Sequence, residues 1–227
     1  MPEAAFYNAL DILNFGDPIL MRKHAGHYDS WAAAWRSLGK NSKIDPEKEW
    51  AELEKAGVGF IFAEDGKFPE LLKEIPGAPL ALYYKGDIFD KNPRVAVVGT
   101  RKATLVGREA AKRFASELAS RGVTIISGLA IGIDTAAHEG TLVAKGKTIA
   151  VLANGLDWVY PRQNAGLAKR ILDNGGALVS EYPFRSESLP HRFLERNRII
   201  SGLSSGAVVI EAPDGSGSLA PANCALV

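Results

Sequence analysis

Short apolar runs alternate with helical patterns through the second part of the chain. The runs fall at 95–98, 123–126, 148–152, 177–179 and 207–210, and the stretches between them, about 105–120, 132–145, 164–174 and 191–203, have helical spacing. Strands that are nearly continuous in apolar residues, each followed by a helix, predict a mostly parallel sheet with helices on both faces. Each run ends in a glycine-rich or polar turn: Gly99-Thr100-Arg101, Ser127-Gly128, Asn154-Gly155, Ser180-Glu181 and Asp214-Gly215-Ser216-Gly217-Ser218. In an open α/β sheet the ligand crevice lies at the carboxyl ends of the strands, so these turns predict a groove there.

The first part has another rhythm. Helical spacing at 8–13 breaks at Gly16-Asp17-Pro18 and resumes over 19–23. Asp29-Ser30 supplies an N-cap for a helix over 31–38, and Asp45-Pro46-Glu47 starts another that reaches Lys55 and stops at Gly57. Short strands are predicted at 59–63 and 80–84, with a helix around 69–73 and a proline-spaced connector at 76–79. The expected organisation is a small helical module over 1–57, a lead-in segment over 58–93 packing on the main domain, and an α/β domain over 94–227.

The most informative stretch is Ser127-Gly128-Leu129-Ala130-Ile131-Gly132-Ile133-Asp134-Thr135-Ala136-Ala137-His138. A β-branched strand opens through glycines into an alanine-rich helix, which gathers backbone N–H groups and a helix dipole at one point. That arrangement suits an anion, most often a phosphate. The stretch is neither a Walker loop nor a G-x-G-x-x-G fingerprint, which argues against an ordinary ATP or dinucleotide site.

Composition narrows the classes. Of 227 residues, 46% are hydrophobic and 23% charged, as in a soluble globular protein. No apolar run approaches a membrane span, and Met1-Pro2-Glu3 lacks the layout of a signal peptide, so a cytoplasmic location is expected. Cys224 is the sole cysteine, which excludes a disulfide framework and a cysteine-based metal site; no metal and no cofactor are expected. The net charge of +1 conceals an asymmetry. Residues 1–93 carry 11 Lys and Arg against 15 Asp and Glu, and residues 94–227 carry 16 against 11. The second part is the one suited to a polyanion.

Among single residues, Arg101 sits in the first turn of the sheet, where a guanidinium can hold a phosphate bidentately. Arg192 and Arg196 are four apart on the helix over 191–203, with Phe193, Asn197 and Ile200 on a neighbouring, core-directed stripe. Arg196 is expected to touch a polyanion and Asn197 to hydrogen-bond strand-end carbonyls or the ligand. Arg198 is expected to pair with Glu195 or Glu211. Ser127, Gly128, Gly132, Ser216, Gly217 and Ser218 are anion-cradle candidates, although the glycines also serve tight turns. Asp134 is expected to cap its helix and His138 to satisfy a buried contact. Trp158 and Tyr182 are the candidates for base stacking, with core packing as the plainer role.

The motifs together resemble the DprA/Smf family, the DNA-processing protein A of bacterial transformation. The matching stretches are Val97-Val98-Gly99-Thr100-Arg101, the 127–138 motif, Thr148 to Leu152, Gly155-Leu156-Asp157, Tyr160-Pro161, Asn164 and Ser180-Glu181-Tyr182. They continue through Arg196-Asn197-Arg198-Ile199-Ile200, Gly202-Leu203-Ser204, Val209-Ile210-Glu211-Ala212 and Ser216-Gly217-Ser218-Leu219. The resemblance implies an extended Rossmann-like fold preceded by a helical module of sterile-alpha-motif or helix-hairpin-helix type. It also implies binding of single-stranded DNA, protection of incoming DNA and loading of the RecA recombinase onto it during natural transformation, without catalysis. Arg162 matches a basic position of the family, and Asn164 lies within a matched block. The family continues past Leu219 with a helix and a further strand. Here the sequence runs Ala220-Pro221 to Val227, so a final strand is expected to be missing or supplied by a partner; a homodimer is expected where that region is present.

Two other classes fit parts of the pattern. One is a nucleotide-processing enzyme of phosphoribohydrolase type, with Asp134 and Glu181 as the acid–base pair. The other is a protein-interaction module in the acidic residues 1–93.

Overall fold

A computed structural model of the chain describes residues 1–212. Ser216, Gly217 and Ser218, and the expected incomplete end of the sheet, lie outside the described residues.

Helices begin where a side-chain acceptor meets the first free amides. Helix α1 is Glu3–Leu13 and α2 is Pro18–Ala25, where the Asp17 carboxylate accepts from the amides of Ile19 and Leu20. Helix α3 is Trp31–Leu38, capped by the Ser30 hydroxyl at the Ala33 amide, and α4 is Pro46–Lys55, capped by Asp45 at Glu47 and Lys48. Proline at the first helical position of α2 and α4 forgoes an amide that would lack a partner anyway.

Strand β1 (Gly59–Phe62), helix α5 (Glu70–Lys73) and strand β2 (Ala81–Gly86) follow. Then come β3 (Arg94–Gly99), α6 (Leu105–Ser120), β4 (Thr124–Ser127), α7 (Ile133–Val143) and β5 (Thr148–Val151). A 3-10 turn at Arg162–Asn164 leads into α8 (Ala165–Asp173), followed by β6 (Ala177–Ser180), α9 (Pro190–Gly202) and β7 (Gly206–Ile210). The described residues form a seven-stranded sheet of order β1-β2-β6-β5-β4-β3-β7. Strands β3 to β7 run parallel; β1 and β2 join antiparallel, with β2 registered on β6 through Tyr83 opposite Ser180.

Side chains alternate between the two faces along each strand, and both faces are buried. Val97, Ile125, Ala150 and Leu178 face α6, α7 and α8, packing against Ala111, Ala115, Ala137, Leu167 and Ile171. Val98, Ile126, Ile149, Val151 and Val179 face α9 and α5 through Ile199, Ile200 and Leu72. The amino-terminal helices close over the antiparallel strands. Tyr7 stacks edge-on with Trp31 at 4.8 Å and Phe62 at 5.5 Å, and the Tyr83 hydroxyl donates to Asp11 at 2.9 Å. Among the described residues no helix is long and apolar enough to cross a membrane.

Candidate nucleic-acid interface

The turns after β3, β4 and β5 meet at the carboxyl edge of the sheet, and glycine sets how closely they approach. Gly132 has φ +89°, and a Cβ there would overlap the carbonyl oxygen of Thr100. The β4–α7 turn therefore lies directly against the turn that carries Arg101. Arg101 is exposed, with its guanidinium 4.7 Å from the centre of the Phe193 ring. Phe193 tilts against Tyr160 at 5.6 Å, and Tyr160 meets Trp158 edge-on at 6.2 Å. Arg101, Gly128, Ala130, Ile131, Tyr160 and Phe193 line a cavity of about 140 Å³, with Tyr160 42% and Ile131 39% exposed. Lys102 beside Arg101 is also exposed. Arg162, exposed one residue past Pro161, stands where a second depression of about 470 Å³ opens toward Asp157, Trp158 and Arg185.

Beneath this rim the other sequence candidates are buried. Arg196 is only 4% exposed, and its guanidinium donates to the carbonyls of Gly128, at 2.6 Å, and Val151. A Cβ on Gly128 would overlap that guanidinium, so the glycine makes room for the arginine. The expectation that Arg196 faces a groove is corrected on this point. α9 lies on the sheet, and the Arg196 face, expected to meet a polyanion, points to strand ends whose last carbonyls need donors. Arg192, four residues earlier, is buried too and donates to the carbonyls of Glu187 and Phe15, with its guanidinium over the Tyr182 ring at 4.5 Å. The buried stripe of α9 is thus Arg192, Arg196, Ile199 and Ile200, while Phe193 and Asn197 are partly buried.

The amides expected to cradle an anion are partly spoken for. The Asp134 carboxylate does not cap its own helix, whose N-cap is Gly132; it turns back to accept from the amides of Gly128, at 3.1 Å, and Ala130, at 3.3 Å. A carboxylate of the chain itself sits where a ligand phosphate was expected. The Asn164 amide donates to the Leu129 carbonyl at 2.8 Å and the Thr135 hydroxyl at 2.9 Å, and the Ser127 hydroxyl donates to Val97 at 2.7 Å. These bonds hold Leu129 in the left-handed region, φ 60°, with its side chain in the core. The turn is held by hydrogen bonds of Ser127, Asp134 and Asn164.

Electrostatics follow from the burial. Desolvation raises the Asp134 pKa, opposed by the Arg196 charge and the two amides. Burial pulls Arg196 down to about 10, with Asp134 acting against the shift, so the guanidinium remains charged at neutral pH. Arg198 pairs with Glu181 rather than with Glu195 or Glu211. Glu195 accepts instead from the Tyr182 hydroxyl, and Glu211 caps α6 through the Thr104 amide and hydroxyl. Tyr182 is 1% exposed and belongs to the core, which removes it as a stacking surface. Asp134 and Glu181, the carboxylates of the enzyme alternative, are both buried and engaged in these contacts.

Sequence reasoning missed three residues of the exposed rim. Helical spacing places Phe193 on the core-directed stripe, Tyr160 counts among the aromatics near the crevice without being a stacking candidate, and Lys102 carries no motif signal. Spacing alone does not place Phe193 on the rim, because Arg196, three residues on, is itself buried.

The family model for DNA recombination-mediator protein A matches residues 59–227. The Smf protein of Synechocystis is 35% identical over 98% of this chain and 62% of its own length. The solved DNA processing protein A of Streptococcus pneumoniae is 40% identical, with a TM-score of 0.71 over 81% of this chain and 64% of that one. The Helicobacter pylori protein, whose structure concerns a single-stranded DNA binding mode, is 32% identical, with a TM-score of 0.66 over 73% of this chain and 75% of that one. The chain spans less than two thirds of the length of the curated relatives it matches. With the 127–138 turn, the Arg101 turn and the sheet order all lying inside the matched region, the chain belongs to the DNA recombination-mediator protein A family.

Proposed function

We propose that this chain binds single-stranded DNA through its phosphate backbone at the carboxyl edge of the parallel strands. Arg101 and Arg162 are the phosphate contacts, with Lys102 adding charge. Phe193 and Tyr160 give the sugar–base side an apolar platform, since aromatic faces accept any base. Ser127, Gly128, Gly132, Asn164, Arg196 and Asn197 hold the rim in shape, and Ser216, Gly217 and Ser218 remain candidates for phosphate contact from the sequence alone. The observation that carries this reading is Arg101, exposed and stacked on Phe193 beside Tyr160. Among the described residues neither Arg101 nor Arg162 has an ion-pair partner. Support also comes from the Helicobacter pylori relative and its single-stranded DNA binding mode.

In this reading the chain is a binder acting in DNA processing during natural transformation in the cytoplasm. It protects incoming single strands and helps load RecA, as a homodimer. A mobility shift comparing a single strand with the duplex of the same sequence, at two salt concentrations, tests the assignment. The single strand is expected to bind more tightly, and both complexes to weaken with salt. Preference for the duplex would reject it.

A further inference from the structure

The rim has a positive start and an acidic end. From Arg101 the exposed cations lead over the 158–163 loop to Arg162, and in the next depression the sign changes. Its lining includes Asp157 and Glu187 together with Arg185. Arg185 is half exposed, yet its guanidinium is occupied by Glu49, at 2.6 Å, and Glu52, three residues apart on α4. Its backbone is pinned as well. The Arg185 amide donates to the Asp157 carboxylate at 3.0 Å, and the residue sits in the left-handed region, φ 67°. Helix α4 is anchored behind this contact by Leu53, buried among Leu152, Leu156 and Leu167, so its acidic face cannot drift away. The hydrogen bond to Glu49 and the charges of Glu49 and Glu52 raise the pKa of Arg185, which holds its guanidinium charged between them.

We propose that Glu49 and Glu52 form an electrostatic end-stop, which withholds Arg185 from the DNA backbone and ends the strand's footprint at Arg162. The inference rests on the single-strand reading above. A phosphate approaching Arg185 meets a guanidinium already held by Glu49 and Glu52, with Asp157 on the Arg185 backbone amide and Glu187 lining the same depression. The cost of displacing them turns the strand away. α4 therefore adds no contact to DNA; it sets where contact ceases.

The test measures single-strand affinity of the full chain against salt for E49Q/E52Q, for R185A, and for the triple variant E49Q/E52Q/R185A. Circular dichroism checks that each variant is folded. Releasing Arg185 adds one phosphate contact, so E49Q/E52Q is expected to steepen the log–log salt slope by about 0.7 and to tighten binding about 5-fold at 0.1 M salt. R185A alone is expected to leave slope and affinity unchanged. The triple variant is expected to return to the wild-type slope, because the gain runs through Arg185. The proposal is overturned by an unchanged E49Q/E52Q, by a weaker R185A, or by a gain that survives in the triple variant. R101A separates the two levels. If it too leaves binding unchanged, the single-strand site itself is misplaced; if it weakens binding, only the end-stop is at stake.

Discussion

Arg196 and His138 show how charge and neutrality are held beneath the rim. Arg196 satisfies two strand-end carbonyls and faces the charge of Asp134, so truncating it leaves a buried carboxylate uncompensated. R196A is expected to lose several kcal/mol of stability in chemical denaturation, about 1–3 kcal/mol for each buried carbonyl left without a donor. His138 is fully buried. Its Nδ1 lies 2.7 Å from the Thr148 hydroxyl, which itself donates to the Ile125 carbonyl at 2.7 Å. The hydroxyl proton is already used, so Nδ1 carries a proton and donates to the hydroxyl oxygen. Burial takes the His138 pKa down to about 3, against about 6.5 in an unfolded chain. The unfolded state then binds the extra proton first, so this contribution is intact above about pH 6.5 and drains away as pH falls toward 3. The stability gap between wild type and H138N is expected to shrink between pH 7 and pH 4 in parallel thermal melts; a constant gap would contradict the neutral ring. At this scale the place of Arg101 was legible, because a turn residue after an apolar run has one geometry. The burial of Arg196 was not, because two arginines four apart on a helix look the same facing water or facing carbonyls.

Elements were read best where capping chemistry marks them. Ser30 before Trp31 and Asp45 before Pro46 start α3 and α4 at the residues the sequence indicates, since a short acceptor followed by a helix former has few other uses. D45A is expected to cost about 1 kcal/mol, read as a small drop in the thermal midpoint. The β4–α7 turn was harder. Its glycines and following helix were visible, but an acidic residue in a helix's first turn can serve its own amides or those of the preceding loop. Asp134 takes the loop, and α7 opens on Gly132 without a side-chain cap. Glu211, which holds Thr104 at the start of α6, lies 107 residues away and left no local trace. Gly132 is the position on which the rim depends most. G132A forces a left-handed, Cβ-bearing residue against the Thr100 carbonyl, so both stability and single-strand affinity are expected to fall. A stable G132A with unchanged DNA affinity would show that the close approach of the two turns is dispensable.

In the whole molecule, two chain segments of opposite charge meet on one sheet. The acidic first part closes the antiparallel edge with β1, β2 and the helices α1 to α4, and the basic second part builds the parallel strands and their carboxyl rim. The α/β class was readable from strand–helix alternation. The entry of β1 and β2 into the same sheet was not, because short strands carry no record of their partners. The consequence is a rim whose exposed cations, Arg101 and Arg162, stand at one edge while the remaining site candidates among the described residues support them from below. The most direct test is equilibrium binding of a thymidine homopolymer and a mixed-sequence single strand across a salt series, for wild type and for R101A/R162A. About 3–5 phosphates neutralised give a wild-type log–log slope of about −2 to −3.5, and the double variant is expected to lose about 1.4 of it equally on both strands with its thermal midpoint unchanged. A folded double variant that keeps both affinity and slope would contradict the account.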